Sequence, residues 1–265
     1  LQNFINPKIL YNNVYANRTS QSHLSDNAMN FFLNFFNRVV KKKNISILEI
    51  GSNDLKFAKN LAYKCKNFYA VDPIWIGKKK REEKKIKVFG NYIENFSVKK
   101  NIEEPLDVII STHNLEHINN PVKVLQNLTN FLKPDGYIFI EVPDANLMLK
   151  NLRFDQIFHQ HYHYFSINSL QNIAEKINCK IIGKKINHKY WGGSLLIAMK
   201  KKSNLNKKPL KNNYKQISNI ISKNYLKFKK KYFDLNKKIK RVKENLYGYG
   251  AGQMTPSFAY HLGSD

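Results

Sequence analysis

The sequence predicts an α/β fold in which a mainly parallel β-sheet is covered by helices on both faces. Short apolar runs that end at Gly, Asp or Ser alternate with segments whose apolar residues recur every three or four positions. The chain has 265 residues, 42% of them hydrophobic, which suffices for one large domain with its own core. Because ligands bind at the carboxyl ends of parallel strands, the loops that follow the strands are the expected functional loops.

The predicted elements alternate along the chain from residue 45 onward. Strands are predicted at 45–50, 68–71, 86–89, 108–110, 137–142, 180–184 and 195–199. Helical spacing is found at 31–40, after Gly51, and at 121–132 and 169–176. The Lys133-Pro134-Asp135-Gly136 turn sequence is expected to end the third of these helices.

Four segments are expected from this pattern. They are an N-terminal helical and loop segment at 1–44, the main α/β domain at 45–200, a long basic amphipathic helix at 201–246, and the start of a truncated C-terminal α/β unit at 247–265. The apolar residues of 214–246 step by three or four, which predicts a helix about 50 Å long. Its apolar stripe needs a partner, either the body of the protein or a second copy in a homo-oligomer. The Gly-rich segment at 247–252 predicts that the chain continues or folds back on the main domain.

The strong positive charge admits two interpretations. A formal net charge of +26 is typical of proteins that bind nucleic acid or an anionic membrane surface. However, only five of the 45 basic residues are Arg, whereas base readout favours the planar guanidinium. Lys, Asn and Ile are abundant together, which favours the residue usage of an AT-rich genome over a nucleic-acid footprint.

Cysteine usage and hydropathy address the compartment. Cys65 and Cys179 lie far apart without a nearby second Cys, so neither a disulfide framework nor a Cys-based zinc site is expected. No apolar run approaches the roughly 20 residues that span a bilayer, and the N-terminus lacks the pattern of a signal peptide. The sequence therefore predicts a soluble cytoplasmic protein without a membrane partner.

Two strand ends carry the strongest chemical signal. The segment ILEIGSND at 47–54 ends a strand in Glu-x-Gly, and FYAVDP at 68–73 ends the next strand in Asp72. Glycine allows the backbone to approach a ligand closely, and an acidic residue at this point suits a ribose diol. Asn53 and Lys56 occupy the positions of the second and third glycines of a dinucleotide-binding motif, so that motif is absent. The alternative is structural, with Gly51 making only a tight turn and Asp72 capping a loop.

Together with DVIISTHNLEHI at 107–118 and NFLKPDGYIFIEVP at 130–143, these segments resemble the class I S-adenosylmethionine-dependent methyltransferases. The resemblance covers about residues 45–145 and implies a Rossmann-like sheet with S-adenosyl-L-methionine as cofactor. It implies that Glu49, Gly51 and Asn53 surround the methionine end of the cofactor and that Asp72 holds the ribose hydroxyls. It places Asn91 near the adenine and Thr112, His113 and Asn114 along the sulfonium side.

The remainder of the chain resembles the sugar C-methyltransferases that act on nucleotide-linked deoxysugars. The resemblance rests on FDQIFHQHYHYFS at 154–166, on WGGSL at 191–195 and on YGYGAG near the C-terminus. Such enzymes usually begin with a small Cys-ligated zinc domain and end with a larger α/β domain. From this resemblance, we expect the first to be absent from this chain and the second to be truncated. The implied substrate is a small molecule, a sugar or a nucleotide-sugar, in carbohydrate biosynthesis.

The family resemblance also implies the catalytic residues. Where that family reads Tyr-x-Glu-His, this chain reads Phe158-His159-Gln160-His161. By carry-over, His161 removes or relays a proton, His117 makes a second polar contact to the substrate, and Gln160 positions the acceptor. Because Gln160 cannot ionise and Phe158 has no hydroxyl, no carboxylate or phenol at these positions can relay a proton. The methyl group is therefore expected to go to an oxygen, or to another acceptor, rather than to a ketosugar carbon.

Other hypotheses stay open at this point. His159, His161 and His163 would share one face of a strand, and His113 and His117 would meet on a helix, which suits a metal. No acidic ligand is interleaved among them, so we favour a catalytic cluster and expect no metal. A basic nucleic-acid-binding or RNA-modifying protein and a catalytically inactive methyltransferase-like scaffold are the alternative functions.

Overall fold

The computed structural model describes residues 6, 9, 11, 23–78, 82–83, 85–190, 192–202, 214–247 and 255–263. Its centre is an eight-stranded mixed sheet in the order β3-β4-β2-β1-β5-β6-β8-β7. In chain order the strands are β1 Ile45–Ile50, β2 Cys65–Val71, β3 Glu82–Glu83, β4 Ile86–Phe89, β5 Leu106–Thr112, β6 Leu132–Pro143, β7 Cys179–Asn187 and β8 Ser194–Lys201. Every strand predicted from the sequence is therefore present, which confirms the α/β fold class.

Eight α-helices lie among the described residues. They are α1 His23–Val39, α2 Lys56–Leu61, α3 Val98–Asn101, α4 Pro121–Thr129, α5 Ala145–Lys150, α6 Ile167–Lys176, α7 Tyr214–Ile239 and α8 Thr255–Leu262. Local chemistry starts two of them. Asn120 accepts a hydrogen bond from the Lys123 amide at 3.0 Å at the start of α4, and Ser166 and Ser169 form a capping box at the start of α6.

The central strands run parallel. β1 pairs with β2 and β5, β2 pairs with β4, and β5 pairs with β6, all in parallel. β8 and β7 extend the sheet in antiparallel fashion beyond β6, and β3 pairs antiparallel with β4 at the other edge. The strand order reverses at β1, so the carboxyl ends of β1, β2 and β5 flank the topological switch point where α/β sheets bind ligands.

Two apolar clusters fill the two faces of the sheet. On one face Leu48 and Ile50 of β1 pack with residues of α4 and α6; on the other, Ile45 and Ile47 pack with α1 and α2. All six residues of β1 are buried, which is the pattern of a parallel strand covered on both faces. From α1, Phe36 packs on Phe139 of β6 with ring centroids 4.9 Å apart.

Two helices end earlier than their apolar periodicity predicts. α4 ends at Thr129 because Leu132 belongs to β6, where it pairs with Leu106. The predicted turn at 133–136 lies within the long strand β6. α7 ends at Ile239 and not at 246, so its 26 residues span about 39 Å.

The C-terminal part of the chain packs against the end of α7. The ring of His261 on α8 lies 4.8 Å from that of Phe228, the buried residue of α7. Phe154 also contacts Phe228, with centroids 5.4 Å apart. α8 thus packs on α7, whereas the Gly-rich residues 248–252 lie outside the described residues. Within the described residues, no helix combines the length and hydropathy needed to cross a membrane.

Candidate functional site

A cavity of about 520 Å³ opens at the carboxyl ends of β1, β2 and β5, at the switch point of the sheet. All residues predicted for cofactor binding or catalysis line it: Glu49, Gly51, Asn53, Asp72, Asn91, Thr112, His113, Asn114, His117, Gln160 and His161. The fold thus brings together segments that lie more than 100 residues apart in the chain.

The turn after β1 requires a glycine. Gly51 has a φ of +73°, a conformation that L side chains rarely adopt. Its amide donates to the Val71 carbonyl at 2.9 Å, which joins the turn to the end of β2. A Cβ at this position would lie 2.6 Å from Nδ2 of Asn114. The missing side chain therefore makes room for Asn114 in the wall of the cavity.

The Asp72 carboxylate organises the end of β2. Its Oδ1 accepts a hydrogen bond from the Ile74 amide at 2.9 Å, and its Oδ2 accepts one from the Asn53 amide at 2.8 Å. Trp75 donates from Nε1 to the Asn53 carbonyl at 2.7 Å. Asp72 thus caps its loop, as the structural alternative expects, and also lines the cavity. The two roles are compatible, since a carboxylate can accept about four hydrogen bonds.

Two polar atoms on this side of the cavity are buried and unsatisfied. Glu49 Oε2 and Asn114 Oδ1 find no hydrogen-bond partner among the described residues. Burial raises the pKa of Glu49 well above its ordinary value, and nearby Asp72 and Asp54 raise it further. Because buried polar atoms are normally hydrogen-bonded, both atoms are suited to a ligand that offers donors.

On the opposite side of the cavity, His113 lies between two buried carboxylates. Its Nδ1 is 3.7 Å from Glu116 and its Nε2 is 3.8 Å from Glu141. Burial disfavours the charged ring, but the two carboxylates outweigh burial and raise the pKa of His113 to about 10. Ser194 donates to Glu141 at 2.5 Å and holds that carboxylate in place. The two carboxylates thus favour the imidazolium form of His113 in the cavity wall.

His117 and His161 lie side by side near Glu116. Their ring centroids are 5.0 Å apart, and His117 Nε2 is 4.0 Å from the Glu116 carboxylate. Burial is the main cause that lowers the pKa of His161 to about 4. Burial raises the pKa of Glu116, but the three imidazoles outweigh it and bring that pKa to about 2. At neutral pH His161 therefore carries a free lone pair beside an ionised carboxylate.

Sequence reasoning missed Tyr11, which enters the cavity from the N-terminal segment. Its hydroxyl donates to Gln160 Oε1 at 3.1 Å and lies 3.1 Å from Nδ1 of His117. The Tyr92 hydroxyl donates to the Tyr11 carbonyl. No motif surrounds Tyr11, so nothing in the sequence distinguished it. Glu116 was also missed, although it lies within the quoted segment 107–118.

The histidine-rich segment does not present alternate histidines on a strand. Residues 157–164 form turns and irregular structure, so the predicted shared face of His159, His161 and His163 is wrong. His159 is exposed, and Nε2 of His163 lies 3.2 Å from the Asn119 carbonyl. Arg153 pairs with Asp155 at 2.8 Å. Trp191, the first residue of the WGGSL segment, lies outside the described residues.

Comparisons with known proteins agree with this architecture. A protein-family model described as a methyltransferase domain matches residues 21–184, more than half of the chain. A C-methyltransferase of Streptomyces niveus, NovU, is 41% identical over 66 residues, which are 25% of this chain and 16% of that protein. The match thus spans about a sixth of the length of that relative.

Solved structures share the fold at low sequence identity. The N-methyltransferase NodS of Bradyrhizobium japonicum WM9, in complex with S-adenosyl-L-homocysteine, has a TM-score of 0.51 at 15% identity over 68% of this chain and 88% of its own. The 1,6-didemethyltoxoflavin-N1-methyltransferase of Burkholderia thailandensis has a TM-score of 0.49 at 15% identity over 64% of this chain and 76% of its own. With the family match, the strand order and the site at the switch point, the chain belongs to the class I S-adenosylmethionine-dependent methyltransferases.

Proposed function

We propose that the protein methylates a sugar or nucleotide-sugar, with a hydroxyl oxygen as the favoured acceptor atom. The observation that carries the proposal is the division of one cavity into two halves. One half has backbone turns and unsatisfied acceptors, and the other has a cluster of imidazoles with a tyrosine and a glutamine. A methyl donor and a hydroxyl acceptor need such a pair of adjoining sites.

The first half of the cavity suits S-adenosylmethionine. Its amino group and ribose hydroxyls are donors, and Glu49 Oε2 and Asn114 Oδ1 are buried acceptors without a partner in the described part of the chain. Asp72, at the end of β2, is the candidate for the ribose hydroxyls, and Asn91, after β4, is the candidate for the adenine. When bound, the cofactor supplies an electrophilic methyl group on its sulfonium.

In the second half, His161 is our candidate for the base. Its pKa of about 4 leaves the ring neutral near pH 7, so a ring nitrogen can accept the acceptor's hydroxyl proton. Gln160 and Tyr11 form a hydrogen-bonded pair beside His117 that can orient a second hydroxyl of the acceptor. An in-line methyl transfer mainly requires that the acceptor atom is aligned with the methyl group. These residues are therefore expected to position the acceptor as much as they activate it.

A polyhydroxylated acceptor agrees with this lining. Five hydrogen-bonding side chains, Tyr11, His113, His117, Gln160 and His161, face one cavity. The 41% identity to a C-methyltransferase over 66 residues, a quarter of the chain, supports methyl transfer. Phe158 and Gln160 stand where the sugar C-methyltransferases have an ionisable Tyr and Glu. This difference favours oxygen over carbon as the methylated atom.

The direct test is turnover on a panel of acceptors. The protein is incubated with S-adenosylmethionine and nucleotide-linked deoxysugars, free sugars or RNA, and S-adenosylhomocysteine and the mass of the product are measured. The proposal expects methylation of a sugar, and NMR of a ¹³C-labelled methyl group then assigns it to oxygen or carbon. Turnover on RNA alone would favour the RNA-modifying alternative. Cofactor binding without turnover on any acceptor would favour the inactive scaffold.

Self-association through the long helix is a separate proposal. The first two turns of α7 leave Tyr214, Ile217 and Ile221 exposed, with 73%, 47% and 41% of their surface accessible. The Lys residues of the helix lie on the other side of this apolar stripe. Sedimentation of wild type and of Ile217→Lys tests it: a dimer that the substitution dissociates supports association through α7.

A further inference from the structure

We propose that Glu116, His117 and His161 bind one divalent transition-metal ion, such as Zn²⁺, in the acceptor half of the cavity. Each side chain offers one ligand atom, and these atoms lie within 4.8 Å of one another. Two imidazoles and one carboxylate with positions left open are the donor set of catalytic zinc and non-haem iron sites. Within the described part of the chain, these three are the His, Cys, Asp or Glu side chains that lie close enough together to share one ion.

The hydrogen bonds of His117 prepare it as a ligand. Its Nδ1 lies 2.7 Å from the Gln160 carbonyl, which can only accept a hydrogen bond. The proton of the neutral ring is therefore on Nδ1, and the lone pair is on Nε2, the atom 4.0 Å from Glu116. In metal sites, a backbone carbonyl commonly fixes the tautomer of a histidine ligand in this way.

Glu116 is a buried carboxylate whose bonding is incomplete. Only 1% of its surface is exposed, and its Oε2 finds no hydrogen-bond partner in the described ranges. Its Oε1 faces both His113 Nδ1 at 3.7 Å and His117 Nε2 at 4.0 Å, so Oε2 is the oxygen that remains for an ion. An ion bound by the other oxygen would satisfy an atom that is otherwise costly to bury.

The cluster must contract to hold an ion. Ligand atoms at about 2.0–2.2 Å from a metal lie roughly 3–3.5 Å from one another, so each atom moves inward by about 1 Å. His117 and His161 are half-buried at the cavity wall, which leaves their rings room to rotate. Because the ligands must move inward, we expect an affinity in the micromolar range, weaker than that of a structural zinc site.

The open positions of the ion would face the acceptor, since all three ligands line the cavity. A bound divalent ion takes hydroxyl oxygens as further ligands and lowers their pKa. Neighbouring hydroxyls of a sugar could occupy two positions at once. If His161 binds the ion, its lone pair cannot also accept the hydroxyl proton, and the ion would replace His161 as the group that activates the hydroxyl. This part of the inference rests on the proposed function, whereas ion binding itself does not.

The experiment measures ion binding on untagged protein freed of metal by a chelator. Calorimetry with Zn²⁺ is expected to give one ion per chain, and Co²⁺ is expected to give visible absorption bands of a site with nitrogen and oxygen ligands. His161→Ala and His117→Ala are expected to weaken Zn²⁺ binding at least about tenfold. The matched controls are His159→Ala, an exposed position, and His163→Ala, whose side chain lies outside the cavity lining.

Thermal unfolding without metal is measured for each variant, and His161→Ala carries the test if His117→Ala fails to fold. No Zn²⁺ binding by the wild type, or binding that the control variants lose and His161→Ala retains, would overturn the metal site. Sugar methylation that persists in EDTA while no ion binds overturns the metal site and leaves the proposed function standing. Bound Zn²⁺ without turnover on any sugar overturns the proposed function and leaves the metal site standing.

Discussion

The two halves of the cavity are built in different ways. In the cofactor half, the Gly51 turn and the Asp72 loop are held by backbone hydrogen bonds that join the ends of β1, β2 and β4. In the acceptor half, Tyr11, His117 and Gln160 come from three distant segments, and each contact among them involves at least one side chain. The cofactor half is therefore fixed by the sheet, whereas the acceptor half depends on which side chains the loops supply.

The halves also differ in electrostatics. Glu49 in the cofactor half has its pKa raised, mainly by burial. In the acceptor half, the carboxylate of Glu116 has its pKa lowered to about 2 because three imidazoles surround it. Burial, together with nearby carboxylates, thus disfavours the charged form of Glu49. The surrounding imidazoles instead favour the charged form of Glu116. The difference indicates that proton chemistry belongs to the acceptor half.

The largest expected effect comes from removing the proposed base. His161→Ala is expected to lower the turnover rate by about 10²–10⁴-fold, the usual contribution of a general base. His159→Ala is the matched control, because its side chain is exposed and outside the cavity lining. Turnover is measured as release of S-adenosylhomocysteine. Full activity in His161→Ala would remove that residue from the mechanism.

Titration by NMR compares two of the three imidazoles of the acceptor half directly. His113 is expected to stay protonated until pH about 10, and His161 to stay neutral until pH about 4. The unfolded value of histidine is about 6.5. The raised pKa of His113 therefore contributes stability below pH 6.5 that is lost as pH rises to 10. The depressed pKa of His161 lowers stability as pH falls from 6.5 to 4. Two titrations near pH 6.5 would contradict the described charge arrangement.

In the cofactor half, two glycines provide a matched pair. Gly51 and Gly77 have φ values of +73° and +74°, but a Cβ meets Asn114 only at Gly51 and has open space at Gly77. Gly77→Ala is expected to lose about 1–2 kcal/mol of unfolding free energy from backbone strain alone. Gly51→Ala is expected to lose a further 1–3 kcal/mol or so by displacing Asn114, and to bind S-adenosylmethionine more weakly. Urea unfolding and calorimetry measure both, and equal losses would contradict the close contact.

The smallest effect is expected at Tyr11. Tyr11→Phe removes the hydroxyl that contacts Gln160 and His117 and retains the ring. Loss of one such hydrogen bond is worth about 0.5–1.5 kcal/mol, which predicts a roughly 2–10-fold slower turnover with unchanged cofactor affinity. Tyr63→Phe is the control, because 62% of that residue is exposed. Equal rates in both variants would remove Tyr11 from acceptor positioning.

The sequence predicts the cofactor half better than the acceptor half. Strands at 45–50 and 86–89 match the observed bounds of β1 and β4, because apolar runs bounded by turn residues leave little ambiguity. The helix predicted at 121–132 is three residues too long, because Leu132 fits the helical period but pairs in β6. Local signals define the strand ends, and these ends place Gly51 and Asp72 in the cavity.

In the acceptor half, sequence motifs identify candidate site residues but not the side chains that these residues contact. His117, Gln160 and His161 lie in quoted motifs, and all line the cavity as expected. Tyr11 contacts His117 across 106 positions, which no local pattern encodes. The shared face that His159, His161 and His163 would have on a strand is not formed, because the segment lies in turns and irregular structure. The roles of His117, Gln160 and His161 in binding and catalysis stay predictions.

The division of the cavity is tested most directly by calorimetry with S-adenosylmethionine on wild type, Asp72→Ala and His161→Ala. Asp72→Ala is expected to weaken binding by about 1–3 kcal/mol through a lost charge-assisted hydrogen bond, whereas His161→Ala is expected to bind as the wild type does. Weakening by His161→Ala with no change in Asp72→Ala would contradict the account, because the cofactor would then lie in the half assigned to the acceptor.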